Sequence, residues 1–489
     1  MVKDIITTKM KIQLLALSAF FMSLMMHAQQ KDSTIVFKKK VLESTEVDFI
    51  SSYYAQDGSH SAVSGGIGSE KLTDIASNIV IAIPLNTDDV LTVDAGLSAY
   101  TSASSSNINP FNKTGASGAG GDDDRLDNNN GTTTPIGTPW QASSGASKSD
   151  QLISLSASYS HSTDNRNFIW NVDASVSSEY DYSSTGFGAG VTRLFNNKNS
   201  EISVKANAYL DNWKPIYATE LSEYGKYGSG FYVNGYFNGI TVYNQNGVAT
   251  TAYLPSKFKV WDSTGRNSFA SMFSFSQVVT KNLQFSIFFD VLKQEGMLST
   301  PYQRIYFADK ANFYIGNKSF IPVYESSSNT GVYRLADDIE RLPNTRFKLP
   351  MGMRLNYYIN EKFIFKTYYR YYQDDWDIKA HTFSAELPIK LTDAFTIYPM
   401  YRFYTQNQSK YFAPFEKHLS TETYYTSDYD LSTFQANQYG IGFDYTDLFA
   451  NTKIFGLGIK NIDFRFNHYS RNDGLTANIA TIAFKFTTD

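Results

Sequence analysis

Between positions 347 and 357 every second residue is apolar. Phe347, Leu349, Met351, Met353, Leu355 and Tyr357 are separated by Lys348, Pro350, Gly352, Arg354 and Asn356. Side chains on a strand point to alternate faces, so this segment has one apolar and one mostly polar face. The pattern returns at Phe168, Trp170, Val172, Ala174 and Val176, then at Ile202, Val204, Ala206, Ala208 and Leu210. It returns again at Leu283, Phe285, Ile287, Phe289 and Val291. A soluble β-sandwich also alternates in this way. Alternation therefore establishes strands without choosing between a sandwich and a barrel.

The connections make that choice. Strands are expected near 44–56, 70–83, 89–101, 150–162, 166–179, 183–196, 200–212 and 266–280. The remainder fall near 282–296, 346–359, 361–374, 377–391, 394–408, 433–447, 460–471 and 475–487. Many exceed the ~5–6 residues usual in soluble sheets and suit a tilted membrane span. The long connections, 57–69, 102–149, 213–265, 297–345 and 409–432, are all odd-numbered in chain order. Antiparallel strands send odd and even connections to opposite ends, so all the long loops emerge together. Outer-membrane barrels show this asymmetry, and a sandwich has no reason to. The expected fold is all-β: a transmembrane, antiparallel, up-and-down β-barrel of about sixteen strands, within a range of about fourteen to eighteen. Long loops would be extracellular and short turns periplasmic. The loops 102–149, 213–265 and 297–345 are long enough to fold inward as a constriction.

Composition agrees with that reading. The 489 residues include 35 Tyr and 36 Phe, and aromatic residues form the girdles at membrane interfaces. The formal charge of -4 and the lack of a basic block give no footprint for nucleic acid. Without cysteine there is no thiolate metal site, disulfide or lipid-anchored cysteine. At the N-terminus Lys9 and Lys11 precede an apolar stretch, Ile12–Met26, and small Ala28 follows. This reads as a signal peptide over 1–28, with a periplasmic lead-in over 29–43 and the barrel over 44–489. The lead-in is too short for the plug of a TonB-dependent transporter. Localisation is expected in the outer membrane of a Gram-negative bacterium.

Several blocks resemble a Bacteroidetes-type family of unknown function, DUF3570. They are YYAQDGSHSAVSGGIGSEKLTDI (53–75), VDAGLSAYTSASS (93–105), SGASKSD (144–150), RYYQDDWDIKAHT (370–382), YPMYRFYTQ (398–406) and YYTSDYDLSTF (424–434). The resemblance implies an exported outer-membrane barrel without an established activity. Relatives standing beside flavin-transferase and thioredoxin-like proteins imply an envelope redox setting.

Charged residues at polar positions of the strands must avoid hydrocarbon, because charge is costly there. Lys205, Asp290, Arg354, Lys366, Arg370, Asp463 and Arg465 are therefore expected to line the lumen. Asp57, Asp374, Asp375, Asp377, Asp428 and Asp430 fall in external loops and form a candidate divalent-cation rim. Calcium would suit such carboxylates, as would the shared ions of lipopolysaccharide; solvated loops explain the acids equally. Asp122, Asp123, Asp124 and Asp127 form a fourth acidic patch without EF-hand spacing. Tyr368, Tyr369, Tyr371, Tyr372 and Trp376 suit either an interfacial girdle or a stacking platform. No cofactor is expected apart from such calcium.

The first functional expectation is a non-enzymatic, porin-like channel or transport protein. The second is a scaffold docking a periplasmic or lipoprotein partner of a redox system. A third, a hydrolase, would draw on Asp57, Ser59 and His60 or on His381, but sequence neighbours rarely make a triad.

Overall fold

The computed structural model describes residues 40–101, 149–323 and 332–488, apart from 448, 451 and 455. The expected signal peptide, most of the lead-in and the acidic patch at Asp122–Asp127 lie outside these residues.

Sixteen strands form the wall. They are β1 Glu46–Asp57, β2 Leu72–Pro84, β3 Asp89–Thr101, β4 Ser149–Ser162, β5 Phe168–Ser178 and β6 Tyr182–Phe195. Next come β7 Ser200–Trp213, β8 Gly265–Thr280, β9 Leu283–Gly296 and β10, which is Thr345–Lys348 continued by Met351–Tyr358. The last six are β11 Ile364–Gln373, β12 (Lys379–Glu386 continued by Ile389–Lys390), β13 Phe395–Gln406, β14 Phe434–Thr446, β15 Leu457–Arg471 and β16 Thr476–Thr487. The breaks in β10 and β12 fall at Pro350 and Pro388, which have no N–H to donate. Every strand pairs antiparallel with the next, and β16 pairs back on β1 from Glu46↔Thr487 to Asp57↔Thr476. The sheet is therefore a closed, up-and-down barrel with no edge strand.

Register assigns the two faces. Residues directly opposite each other in antiparallel strands share a face. Val204, Phe273, Phe289 and Met351 align across β7 to β10 on the outside. The adjacent row, Lys205, Met272 and Asp290, faces inward. Outward Ile75, Ile79, Leu97, Ile153, Phe187 and Ile287 are solvent-exposed, which inverts the arrangement of a soluble protein. Inward positions of β4 carry Ser154, Ser156, Ser158 and Ser160. The turn between β6 and β7 places Asn196, Asn197 and Lys198 at φ 50, 52 and 65, left-handed values that asparagine tolerates best among residues with a side chain.

The packed core is in the loops. At the end where the long connections emerge, segments 214–264 and 297–344 fold on each other. Three short strands, Val242–Asn244, Phe313–Gly316 and Val332–Arg334, make a small sheet drawn from both segments. Phe231, Phe237, Tyr253, Ile315 and Tyr333 pack together there, fully or almost fully buried. The one α-helix among the described residues, α1 Thr219–Tyr227, contributes Leu221 to a second cluster with Phe258, Tyr306 and Ile339. Two of the three loops expected as a constriction, 213–265 and 297–345, thus form a cap with its own hydrophobic core, and the third, 102–149, lies almost wholly outside the described residues.

Ile79 is an outward position in the middle of β2, opposite Phe49 and Ala95. Ile79→Arg is expected to destabilise the barrel by roughly 2–4 kcal/mol if acyl chains cover this face. Ser156→Arg, an inward change, should cost much less. Urea unfolding in lipid vesicles measures both, and equal losses would contradict the assignment of faces.

Candidate functional site

The candidate site has two parts, the lumen wall and the cap at the loop end. On the wall, register places Lys205, Asp290, Arg354, Lys366, Arg370, Asp463 and Arg465 on the inward face. Several are paired. Lys205 meets Asp173 at 3.0 Å, and Lys366 meets Glu386 at 2.8 Å. Arg465 Nε donates to Asp463 at 2.6 Å, and Tyr398 donates its hydroxyl to the same carboxylate. The Tyr398 ring lies over Gly442, where any β-carbon would collide with it. Near the end with short turns, Glu46 bridges Lys460 at 2.8 Å and Lys485 at 2.7 Å.

The wall is wet. Inward-facing Ile50, Tyr209 and Met272 remain 39%, 40% and 36% exposed. A cavity of about 320 Å³ lies against Asn78, Asp94, Ser156, Ser177 and Tyr209 on the inner wall. Polar side chains there bond one another, as in Asn78 to Asp94 at 2.7 Å and Ser98 to Asp74 at 2.7 Å.

The cap is held by buried charge. Arg304 donates Nε to Glu220 Oε1 at 2.8 Å and Nη2 to Oε2 at 3.3 Å, and both residues are buried. The same arginine reaches the Val63 carbonyl at 3.5 Å, and Glu220 Oε1 accepts the Ala336 N–H at 3.3 Å. This one pair joins three loops: 58–71, 214–264 and 297–344. A fourth, 407–433, joins through Asp338, which takes Arg341 at 3.0 Å and the Tyr425 hydroxyl at 2.6 Å. Arg334 lies between the rings of Tyr306 and Phe415, at 4.6 and 5.1 Å, and pairs with Glu416. The cap meets the inner wall through Arg471 on β15. That residue bonds Asp430 at 2.6 Å and the Tyr429 carbonyl at 2.8 Å.

Burial raises three cap carboxyls. Glu340 is pushed up to about 8 by burial and then by the charge of Asp428. Asp428 is pushed up to about 7 by burial and by Asp430, and Asp337 to about 6 by burial. Glu340 accepts the Thr426 hydroxyl at 2.6 Å and the Thr300 N–H at 2.7 Å.

The rim carboxylates do not converge. Asp57 pairs with Lys71 at 3.6 Å in the open. Asp374 has no exposed side chain. It accepts two bonds from Arg346 and one each from the Tyr372 hydroxyl and the Trp376 and Ile378 N–H groups. Asp375 accepts the Phe347 N–H at 3.0 Å, and Asp377 lies 3.7 Å from Lys410. Asp428 and Asp430 belong to the cap contacts above. Among the described residues no group of three or more His, Asp or Glu is arranged to hold a metal ion. The six acids therefore form no common cation site.

Among the described residues, neither His60 nor His381 is bonded to a serine. His60 stacks on Tyr429 at 3.8 Å and places Nδ1 3.2 Å from the Gly66 carbonyl. His381 stands on the outward face with Tyr371, its Nδ1 2.8 Å from the Tyr369 hydroxyl. These tyrosines belong to the exterior, whereas Tyr368 and Tyr372 face inward, so the aromatic run is split between two faces.

Sequence reading missed Arg402 on β13, which aligns with inward Ser384. Tyr398, Met400 and Tyr404 share its face, while Pro399, Tyr401 and Phe403 lie opposite. Aromatics on both sides hide the alternation. The Glu220–Arg304 pair had no signal, because its partners lie in different irregular loops.

Comparison with family models matches residues 12–481 to the protein of unknown function family DUF3570. The chain belongs to this family. The match takes in nearly the whole barrel and its cap. Comparison with curated proteins finds no match. Among solved structures, a bacterial polysaccharide outer-membrane secretin is 8% identical, with a TM-score of 0.39, covering 92% of this chain and 100% of its own. A deletion mutant of the TodX monoaromatic hydrocarbon channel is 8% identical, TM-score 0.37, with 92% and 91% covered. OccK1 of Pseudomonas aeruginosa is 6% identical, TM-score 0.32, with 91% and 99% covered. The barrel is defined by its own strand pairings, not by these distant likenesses.

Glu220→Ala leaves Arg304 buried without its partner and is expected to destabilise the cap by about 3–5 kcal/mol. Limited proteolysis of loops 214–264 and 297–344 should accelerate while the barrel stays folded; an unchanged cleavage rate would contradict this. The raised carboxyls set a pH dependence. They hold protons in the packed cap at pH values where an opened loop has lost them. Cap stability is thus greatest near the ordinary carboxylate range and falls as pH rises towards about 8. Amide exchange in 297–344, corrected for its intrinsic pH dependence, should show less protection at pH 9 than at pH 6. Glu340→Gln should flatten the change.

Proposed function

We propose that this protein is a non-enzymatic channel of the Gram-negative outer membrane, carrying small polar solutes through the barrel. The observation that carries this reading is the wet inner wall. Side chains such as Ile50 and Met272 face inward and are still reached by water. Sixteen strands enclose more space than the side chains of the wall alone can fill, which favours an aqueous path. Lumen charges such as Lys366 and Arg465 stay about half exposed, at 46% and 48% of their side chains. Such charges are stable only where water reaches them. The cap stands at the end of this path and sets which solutes reach it.

Closed strand pairing with an apolar exterior supports the membrane location, since lipid tolerates backbone only when every polar group is paired. The purified protein in planar bilayers should give stepwise conductance, and fractionation should place it with outer membranes. A preparation with native heat-modifiable migration but no conductance steps at any voltage would count against the channel.

A further inference from the structure

The lumen charges fall into two kinds. Lys205, Lys366 and Arg465 are each neutralised by a neighbouring carboxylate. Arg354, Arg370 and Arg402 have no carboxylate at ion-pair distance among the described residues. Arg354 and Arg402 are exposed and Arg370 is half-buried. All three lie on one stretch of wall, β10 to β13.

Their spacing follows from the register. Arg354 aligns with Tyr368, Tyr368 with Ser384, and Ser384 with Arg402. Arg354 and Arg402 are thus three strand spacings apart, about 14 Å. Arg370 lies on the strand next to Arg354, opposite Gly352, one step nearer the cap. It is a diagonal neighbour of Arg354, at about 7–8 Å between backbones. The three cations form a short ladder.

Aromatic rings flank it. Phe288 and Tyr368 stack at 5.7 Å and 12°, and the Arg354 guanidinium stands 5.8 and 5.6 Å from their centroids. Arg370 stands 6.0 Å from Tyr372. These contacts hold the planar guanidinium without consuming its charge. Asp290 on β9 is the carboxylate whose field reaches Arg370. Asp94 on β3 stands eight strands from β11 around the sixteen-strand ring, on the opposite wall, and Asp444 on β14, nearer by, is engaged by Asn461 and Thr446.

We propose that the β10–β13 wall is a selectivity surface for small organic anions bearing a carboxylate. The guanidinium fork matches a carboxylate in two-point geometry. A water-filled lumen with low-dielectric walls and one sign of charge on one side concentrates the opposite ion there. Carboxylates would pass between Arg354, Arg370 and Arg402 in turn, weakly held at each. The acidic far wall repels them towards this path.

This substrate class rests on the channel reading above, and one experiment separates the two. In planar bilayers under a potassium chloride gradient, the native protein should prefer chloride by roughly tenfold, the low end for a charged cleft. Millimolar benzoate should reduce the chloride current. The triple substitution R354Q/R370Q/R402Q should keep the conductance steps but lose both the preference and the benzoate block. Native heat-modifiable migration of the triple variant shows that it is folded. Absence of steps in the native protein would remove the channel itself. Steps that favour potassium, or that behave identically in the triple variant, would remove the anion surface and leave the channel standing.

Discussion

Everything in this molecule depends on the pairing of β1 with β16. A sheet of sixteen strands left open would expose two rows of unpaired N–H and C=O groups, each costing several kcal/mol in hydrocarbon. The pairing runs the whole length of both strands, from Glu46 to Asp57. Because the ring is closed, a one-residue slip in any strand would turn its apolar face towards the lumen. Phe49 opposite Phe484 fixes the register at the seam, and Phe443 opposite Phe464 does so near it. Lys460 and Lys485 clasp Glu46 beside the seam, tying three strands together on the inner side.

Closure also inverts the usual distribution of burial. Ile75, Ile153 and Phe187 are exposed on the wall, while the dry interior lies in the cap among Phe231, Phe237, Tyr253 and Tyr333. The wall gains its stability from backbone pairing and from lipid. The cap stands in water and must gain its own from packing. Segments 214–264 and 297–344 are long enough to do so. Each contributes strands to a shared sheet, and neither could bury its aromatic face alone. The buried Glu220–Arg304 pair gives that packing a fixed geometry, because a charge out of water tolerates little displacement from its partner.

The inner wall combines neutralised charges with unneutralised ones, and the difference is positional. Lys205 and Asp173 lie two strands apart, and β6 between them presents only Gly188 and Gly190 on this face, so the lysine reaches across. Arg354 and Arg402 are separated by Tyr368 and Ser384, and neither forms an ion pair among the described residues. Aromatic neighbours replace counter-ions there. The result is a wall that is basic on one side without being basic overall.

Some of this was legible in the sequence alone. Strand existence followed from alternation, because a lipid face and a watery face cannot share side chains. The number of strands and the end bearing the long loops followed from connection lengths. The inward placement of charges such as Arg354 and Lys366 followed from parity within one strand. Arg402 escaped because tyrosines occupy both faces of β13. The contacts of the rim acids were not legible for a different reason. Asp57, Asp374 and Asp428 share an end of the barrel, but the folded loops use Asp374 as a five-bond anchor and bring Asp428 into the cap. Alternation is a local property, fixed by neighbours two residues apart. The pairing of Glu220 with Arg304, the split of the tyrosine run between two environments and the isolation of three arginines depend on contacts between distant segments. Only the folded chain decides these, because only closure of the ring and packing of the loops determine which side chains share a space.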